Sequence, residues 1–577
     1  MKVVNYMLKH KVLCLFILLA FFFILRLLFL DCDLPPTGII NYQPIDEGAY
    51  SYLSLNKLNY GIINPDAYFT ELQQYTSVSL RFNLIGNLCT YLGMLIFGKN
   101  YFGLRIGSVL CVLFAIYLIY KILVLLEKKY NYDQKNYKPL MFFIIIYIIC
   151  EFTFLIASRV NETSIYRMLF VILTLYFYLR YDNVKIKFFL ISFFSVFSIT
   201  GIYLTNIFLV VAVYAVTIAE ILFKKKEIKN IIIYTFLGSF LAFLISEIYL
   251  NAFWDSNFIK SVLSVYKSYN KIDGYSSVNS IYSMIKISIE FISNNFFLYN
   301  LPLIFSFFIG IPYLLKKIIK SFDLNIIFMI FIIGAYYCQT LFSPDFVRRK
   351  FIMVVPIIIF LFFIIALLRN KYSIKMNSIY KVYCVACFFI CIGIIAFRLY
   401  ITNDGSRMDF KNTDIFILTT FSLFSLILIL INVLKCNISL KKVLIVYMTS
   451  LFINLYMDLS YVYMNPTYSE KQIMIDLEEM DLKPKYIVGT YMLGYSLYNE
   501  YIPILNTSEQ MKNILVNNPE FYYLDYATDD IVNLENYLNS FMEGTNYKLV
   551  EIKRFSREFQ RYGHKRSIGI YKVEKKE

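Results

Sequence analysis

Long apolar runs constrain this chain more than any other feature. Val12–Leu30, Ile231–Leu250 and Ile357–Leu368 carry almost no charge, and several such runs approach the roughly 20 residues that cross a bilayer as a helix. In lipid every backbone N–H and C=O must be bonded within the chain, so segments of this kind fold as helices. Composition points the same way. Of 577 residues, 59% are hydrophobic and 17% charged, whereas a soluble domain is roughly half apolar and a quarter charged. A soluble globular enzyme, a disordered chain and a fibrous repeat are excluded. The chain reads as a polytopic membrane protein. Its first run is too long for a signal-peptide core and lacks a small-residue cleavage site, so it is expected to stay as the first span.

A net charge of +16 would suggest nucleic acid in a soluble protein, but the bases are not spread as a binding face. Segments Met1–Lys11, Glu127–Lys138, Arg180–Lys187, Lys224–Lys229, Lys316–Asp323, Arg369–Lys381 and Lys435–Lys442 hold 24 Lys and Arg against five acids. Their balance of +19 exceeds that of the whole chain. These clusters are the positive-inside signal of a membrane protein, and no nucleic-acid partner is expected. The ten cysteines fall mostly in apolar runs. Cys384, Cys387 and Cys391 share one helix face with no His or carboxylate beside them, so they read as packing residues. Only His10 and His564 exist, so a His-rich metal site is excluded.

Placing the basic clusters inside predicts thirteen spans, at about 12–30, 103–126, 139–157, 164–179, 188–203, 205–223, 230–250, 293–315, 324–342, 351–368, 382–400, 413–434 and 443–463. Ser79–Phe97 is apolar enough to span but contains Arg81, Asn83 and Asn87. Counting it as a span would put the Lys128–Lys138 bases outside, so it reads as a helix along the outer interface. The expected fold class is therefore an all-α polytopic membrane protein with about thirteen transmembrane helices and a small C-terminal extracytoplasmic α/β domain. The expected domains are 1–464, transmembrane, and 465–577, extracytoplasmic, with outer loops at 31–102 and 251–292 and the N-terminus cytoplasmic. In the tail, Glu470–Met480, Ser508–Val516 and Asp529–Phe541 read as helices. Lys485–Tyr491, Phe521–Tyr526, Tyr547–Ile552 and Ser567–Val573 read as strands.

Three outward regions carry chemistry. The first loop contains Asp46-Glu47-Gly-Ala-Tyr50. Adjacent acids cannot share a helical face, so one can enter a cleft while the other orients it or binds a cation. The plain alternative is a solvated acidic helix start. The second is Ser158-Arg159-Val-Asn161-Glu162-Thr163, either a local ion pair or part of a site near the bilayer core. The third holds Arg348, Arg349 and Lys350, three consecutive bases on the side where bases are scarce. They suit the oxygens of a lipid-borne phosphate, or headgroup contact alone. Acids opposite cations above a helical bundle fit transfer of a group from a lipid-linked phosphate. A carboxylate takes the attacking hydroxyl's proton, and the cations stabilise the departing phosphate.

At these residues the chain resembles the GT-C class of integral-membrane glycosyltransferases, in its protein O-mannosyltransferase-like and aminoarabinose-transferase-like branch. The resemblance rests on Asp46-Glu47-Gly-Ala-Tyr50 and on Ile96-Phe97-Gly98, Tyr101-Phe102-Gly103 and Leu104-Arg105. It extends to Ser158-Arg159-Val-Asn-Glu162, Arg180, and Arg349-Lys350-Phe351 through Pro356. It implies Asp46 as catalytic base with Glu47 as its companion, and Glu162 and Arg159 shaping the donor and acceptor site. Tyr50 would line the substrate site, and Arg348, Arg349 and Lys350 would hold the donor phosphate. The implied donor is a polyprenyl-phosphate-linked monosaccharide and the reaction inverting. The acceptor would be a cell-envelope glycan, lipid or protein, and the location a bacterial plasma membrane. Two departures stand out: Glu71-Leu-Gln-Gln-Tyr75 replaces a Lys-Pro-Pro-like stretch, and the second acid is Glu162 where Asp is common. Some relatives bind a divalent metal through a His, and neither His here is so placed. A divalent metal therefore stays open as a cofactor and none is assigned. A polyprenyl-linked glycan polymerase or ligase, and a lipid-linked-sugar transporter or flippase, remain as alternatives. Against transport, bases within the expected spans are few, Arg26 and Arg167 among them.

Overall fold

The structure is a computed structural model of the whole chain. It describes residues 11–32, 43–61, 82–130, 134–161, 163–223, 227–254, 256–269, 323–342, 378–403, 412–434 and 440–464, the five tail strands, 542–546, 576, and single positions within 300–312 and 466–479. The expected span at 351–368, most of loop 270–292, and the tail helices at 508–516 and 529–541 lie outside the described residues.

The apolar runs fold as helices. The first half of the chain forms α1 (Lys11–Leu27), α2 (Gln43–Tyr60), α3 (Leu84–Phe97), α4 (Tyr101–Tyr130), α5 (Gln134–Ile149), α6 (Phe152–Ser158), α7 (Thr163–Arg180), α8 (Val184–Gly201), α9 (Ile207–Phe223), α10 (Ile228–Trp254) and α11 (Phe258–Tyr269). Then follow α12 (Leu324–Phe342), α13 (Ser378–Asn403), α14 (Asn412–Leu434) and α15 (Leu440–Asp458). Among the described residues, five helical stretches are long and apolar enough to cross a membrane, and shorter apolar helices occupy other expected spans. The chain is a multi-pass membrane protein. Side chains such as Phe236, Phe240 and Ile248 of α10 are exposed, as lipid-facing residues are. The core cluster joins α1, α4, α5, α6, α7, α8, α9, α12 and α15, with Ile231 from the start of α10. Helix α7 runs through its middle and is buried along nearly its whole length.

Three local features differ from the sequence reading or sharpen it. The span expected as one helix at 139–157 breaks at Cys150–Glu151. Glu151 caps the second piece, its Oε2 accepting from the Phe154 N–H at 2.6 Å. Part of the expected 251–292 loop is helical, α10 continuing to Trp254 and α11 following it. The interfacial segment forms α3 and turns into α4 through Gly98, whose φ of 89° lies in the left-handed region. Here the helices approach so closely that a Cβ at Gly93 would meet the Gly103 carbonyl oxygen, and one at Gly103 that of Gly98.

Contacts sort into two ends. Lys129 bonds Asn325 at 3.0 Å, Tyr130 bonds Asp323 at 2.6 Å and Lys187 pairs with Glu220 at 3.5 Å. All six residues lie at or beside junctions read as inside. The residues read as outside meet one another instead, as described below. In the tail, β1 (Tyr486–Gly489), β2 (Tyr501–Pro503), β3 (Phe521–Thr528), β4 (Tyr547–Glu558) and β5 (Lys565–Lys575) form one sheet in the order β2-β1-β3-β5-β4. Strand β1 runs parallel to β2 and β3, while β5 runs antiparallel to β3 and β4. Strand β2 has no counterpart in the sequence reading, since three residues are too few for a period to show.

Candidate active site

The acidic pair sits in the first turn of α2, and its two members separate. Glu47 is fully buried. Arg105, from the N-terminal end of α4, grips it with both prongs: Nε donates to Oε1 and Nη2 to Oε2, each at 2.8 Å. Such a fork is the strong form of an ion pair. The remaining nitrogen, Nη1, donates to the carbonyls of Leu30 at 2.9 Å and Cys32 at 2.7 Å, where the first loop leaves α1. The guanidinium also lies 4.9 Å from the Tyr101 ring centroid. One arginine thus ties the end of α1, the start of α2 and the top of α4.

The turn between α6 and α7 closes on the same pair. The Asn161 N–H donates to Glu47 Oε1 at 3.1 Å, and its Nδ2 donates to Ser51 Oγ at 2.8 Å. Tyr166 donates to Asn161 Oδ1 at 3.4 Å, with Ser108 a further 3.3 Å away. Two regions that the sequence reading places outside and treats separately are therefore in direct contact. Both Glu47 oxygens are occupied, so this carboxylate orients its helix. Asp46 stands next to it in the first turn of α2, about 100° round the helix. The side chains of Asp46 and Tyr50, and Glu162, Arg348, Arg349 and Lys350 entirely, lie outside the described residues.

Arg159 is buried and closes the end of α1. Its Nη1 donates to the Leu28 carbonyl at 2.7 Å and its Nη2 to the Phe29 carbonyl. Phe29 has a φ of 54°, a left-handed turn that costs energy for a side chain of this size. The arginine satisfies the carbonyls this turn exposes. A second polar cluster lies beneath. Arg26 Nε donates to Ser158 Oγ at 3.1 Å, and its guanidinium carbon lies 4.5 Å from the Phe22 ring centroid. Asp458, at the end of α15, is 3% exposed, and a π-helical turn over Leu459–Tyr463 follows it. Tyr463 donates to the Leu25 carbonyl at 2.7 Å. The sequence reading weighed the bases within spans but passed over Glu151 and Asp458, carboxylates inside apolar runs, which were the legible signal. Among the described residues, no three His, Cys, Asp or Glu side chains stand close enough to share a metal ion.

By sequence, no protein-family model and no characterised relative matches the chain. By structure, ArnT from Cupriavidus metallidurans, in a crystal structure bound to undecaprenyl phosphate, is similar over 96% of this chain and 97% of its own, with a TM-score of 0.55 and 12% identity. The apo state of the same protein gives 0.52, again at 12% identity and over 96% and 97% of the two chains. At that identity the likeness speaks for the fold: this chain has an ArnT-like, GT-C-like architecture.

Proposed function

We propose that this chain of ArnT-like fold is a membrane glycosyltransferase, moving a monosaccharide from a polyprenyl-phosphate-linked donor to an extracytoplasmic acceptor with inversion. The supporting observation is the buried Glu47–Arg105 fork, bonded through Asn161 to the second outward turn. It holds the first turn of α2, and hence Asp46, at one place above the bundle. Positioning of this kind is what a proton-accepting carboxylate requires. Glu47 cannot serve as base while Arg105 and Asn161 occupy it, so that role goes to Asp46.

In the proposed reaction the acceptor hydroxyl oxygen attacks the anomeric carbon from the face opposite the phosphate. Its proton passes to the Asp46 carboxylate. The bond between the anomeric carbon and the phosphate oxygen breaks with its electron pair, releasing polyprenyl phosphate. Arg348, Arg349 and Lys350 receive the growing negative charge, the step where preorganised cations matter most. Tyr50 and Glu162 line the pocket in this reading, while Arg159 acts through the α1 terminus it closes. The lipid tail of ArnT's ligand, undecaprenyl phosphate, is the kind the apolar bundle would accept.

The test uses the purified full chain and a radiolabelled polyprenyl-phosphate hexose. Asp46→Asn is expected to abolish transfer while donor binding persists; an undiminished rate would remove Asp46 as base. Preference for a sugar linked through a diphosphate would favour the polymerase or ligase reading instead.

A further inference from the structure

Helix α3 lies along the expected outer interface and is apolar, except for one row. Asn83, Asn87 and Thr90 recur at the spacing that puts side chains on a single helical face. They are 1%, 9% and 0% exposed. Both polar side-chain atoms of Asn83 and both of Asn87 are buried without a hydrogen-bond partner, while the buried Thr90 hydroxyl lies beside Tyr166. Four orphaned polar atoms on one face is a large departure from the rule that buried polar groups are bonded.

Asn83 makes the departure plainer. It occupies the N-cap of α3, where an asparagine side chain normally accepts from the amides of the first turn, yet it makes no such bond. Its amide lies instead over Gly86, where any Cβ would collide with it. The next turn is anchored to the candidate active site. Ser54 of α2 donates to the Asn87 carbonyl at 2.8 Å. One turn back on α2, Ser51 bonds Asn161, which in turn bonds Glu47. The Asn87 turn is thus bonded to α2 at Ser54, about two helical turns along that helix from Glu47.

We infer that Asn83, Asn87 and Thr90 form a subsite that recognises the hydroxyls of a neutral sugar ring, an inference that rests on the glycosyl-transfer reading. The chemistry of the groups selects the ligand. A carboxamide presents donors and an acceptor side by side, and a threonine hydroxyl presents both. Sugar hydroxyls are likewise both donor and acceptor. A phosphate or carboxylate only accepts, and would leave each Oδ1 facing negative charge. The ring so held belongs either to the donor lipid or to a glycan acceptor.

The two sources separate in one experiment on the full chain in detergent. Thermal stability and binding are measured for the wild type, Asn83→Leu and Asn87→Leu. The corresponding Ala variants guard against overpacking by Leu. The probes are polyprenyl phosphate alone, the same lipid carrying mannose, glucose, galactose or N-acetylglucosamine, and the methyl glycosides of those sugars. Removing an orphaned amide should leave the melting temperature unchanged or raised. If the donor sugar occupies the subsite, each variant loses about tenfold or more of the preference for glycosylated over bare lipid, while bare lipid binds as before. If the acceptor does, that preference survives and protection by the methyl glycosides is lost. Variants that gain stability and keep both responses overturn the subsite, the amides then holding only water. A wild type that prefers none of the four glycosylated lipids fails at the earlier step, the glycosyl-transfer reading itself.

Discussion

Glu47 and Arg105 are buried together, and such a pair resists loss of either member far more than loss of both. Breaking it from one side strands a charge, at about 3–5 kcal/mol. Glu47→Leu and Arg105→Leu are each expected to lower the melting temperature of the purified protein sharply. The double variant should recover much of that loss yet remain inactive, because Asn161 and the carbonyls of Leu30 and Cys32 lose their partners with the pair. Equal melting temperatures for the singles and the double would mean the fork contributes nothing. The acidic doublet was legible as a candidate from sequence. Which acid would be tied down was not, because the residue that decides it lies 58 positions away. The same holds for Arg159: its place at a turn between apolar runs is legible, but its work on the Leu28 and Phe29 carbonyls depends on how α1 ends.

Among elements, the α3–α4 turn is the most sterically demanding. The close approach at Gly93 and Gly103 leaves no room for a side chain on either. Gly103→Val should therefore part the helices and destabilise the protein by at least about 1–3 kcal/mol, read as a lowered melting temperature and reduced transfer. An unchanged melting temperature would show that the turn can shift to make room. Helix positions were legible because apolar length dictates them. The break inside 139–157 was not, since its partners are distant: Asn300 Nδ2 donates to Glu151 Oε1 at 2.9 Å, and the Phe152 N–H donates to Asn454 Oδ1 at 3.0 Å. Helix α11 escaped notice because its Ser, Tyr and Lys content resembles that of a loop, and only its apolar face marks it as helical.

At the scale of the whole molecule, the bundle has two chemically distinct ends. Lys99 and Asn59 bond each other near the Glu47 end, while Lys129 and Asn325 meet at the other. A cysteine at Lys99 should accordingly react with a membrane-impermeant maleimide in intact cells, and one at Lys129 only after permeabilisation. The reverse pattern, or labelling of both, would undo the orientation on which the proposed extracytoplasmic chemistry stands. The tail reaches back to the first loop through Lys471 and Asp31, 3.0 Å apart and partly exposed. Exposed pairs of this kind contribute little stability.

Local sequence determined what a bilayer dictates by itself. Apolar length sets where the helices lie, and basic clusters sort their junctions into two classes, because both depend only on transfer from water to lipid. Tertiary structure alone decided that Glu47 is buried in a fork with Arg105, that Arg159 closes a helix, and that Asn83 and Asn87 are buried without partners. Each of those depends on side chains brought together from distant turns, and burial turns a hydrogen bond that water would make negligible into one that decides a residue's role.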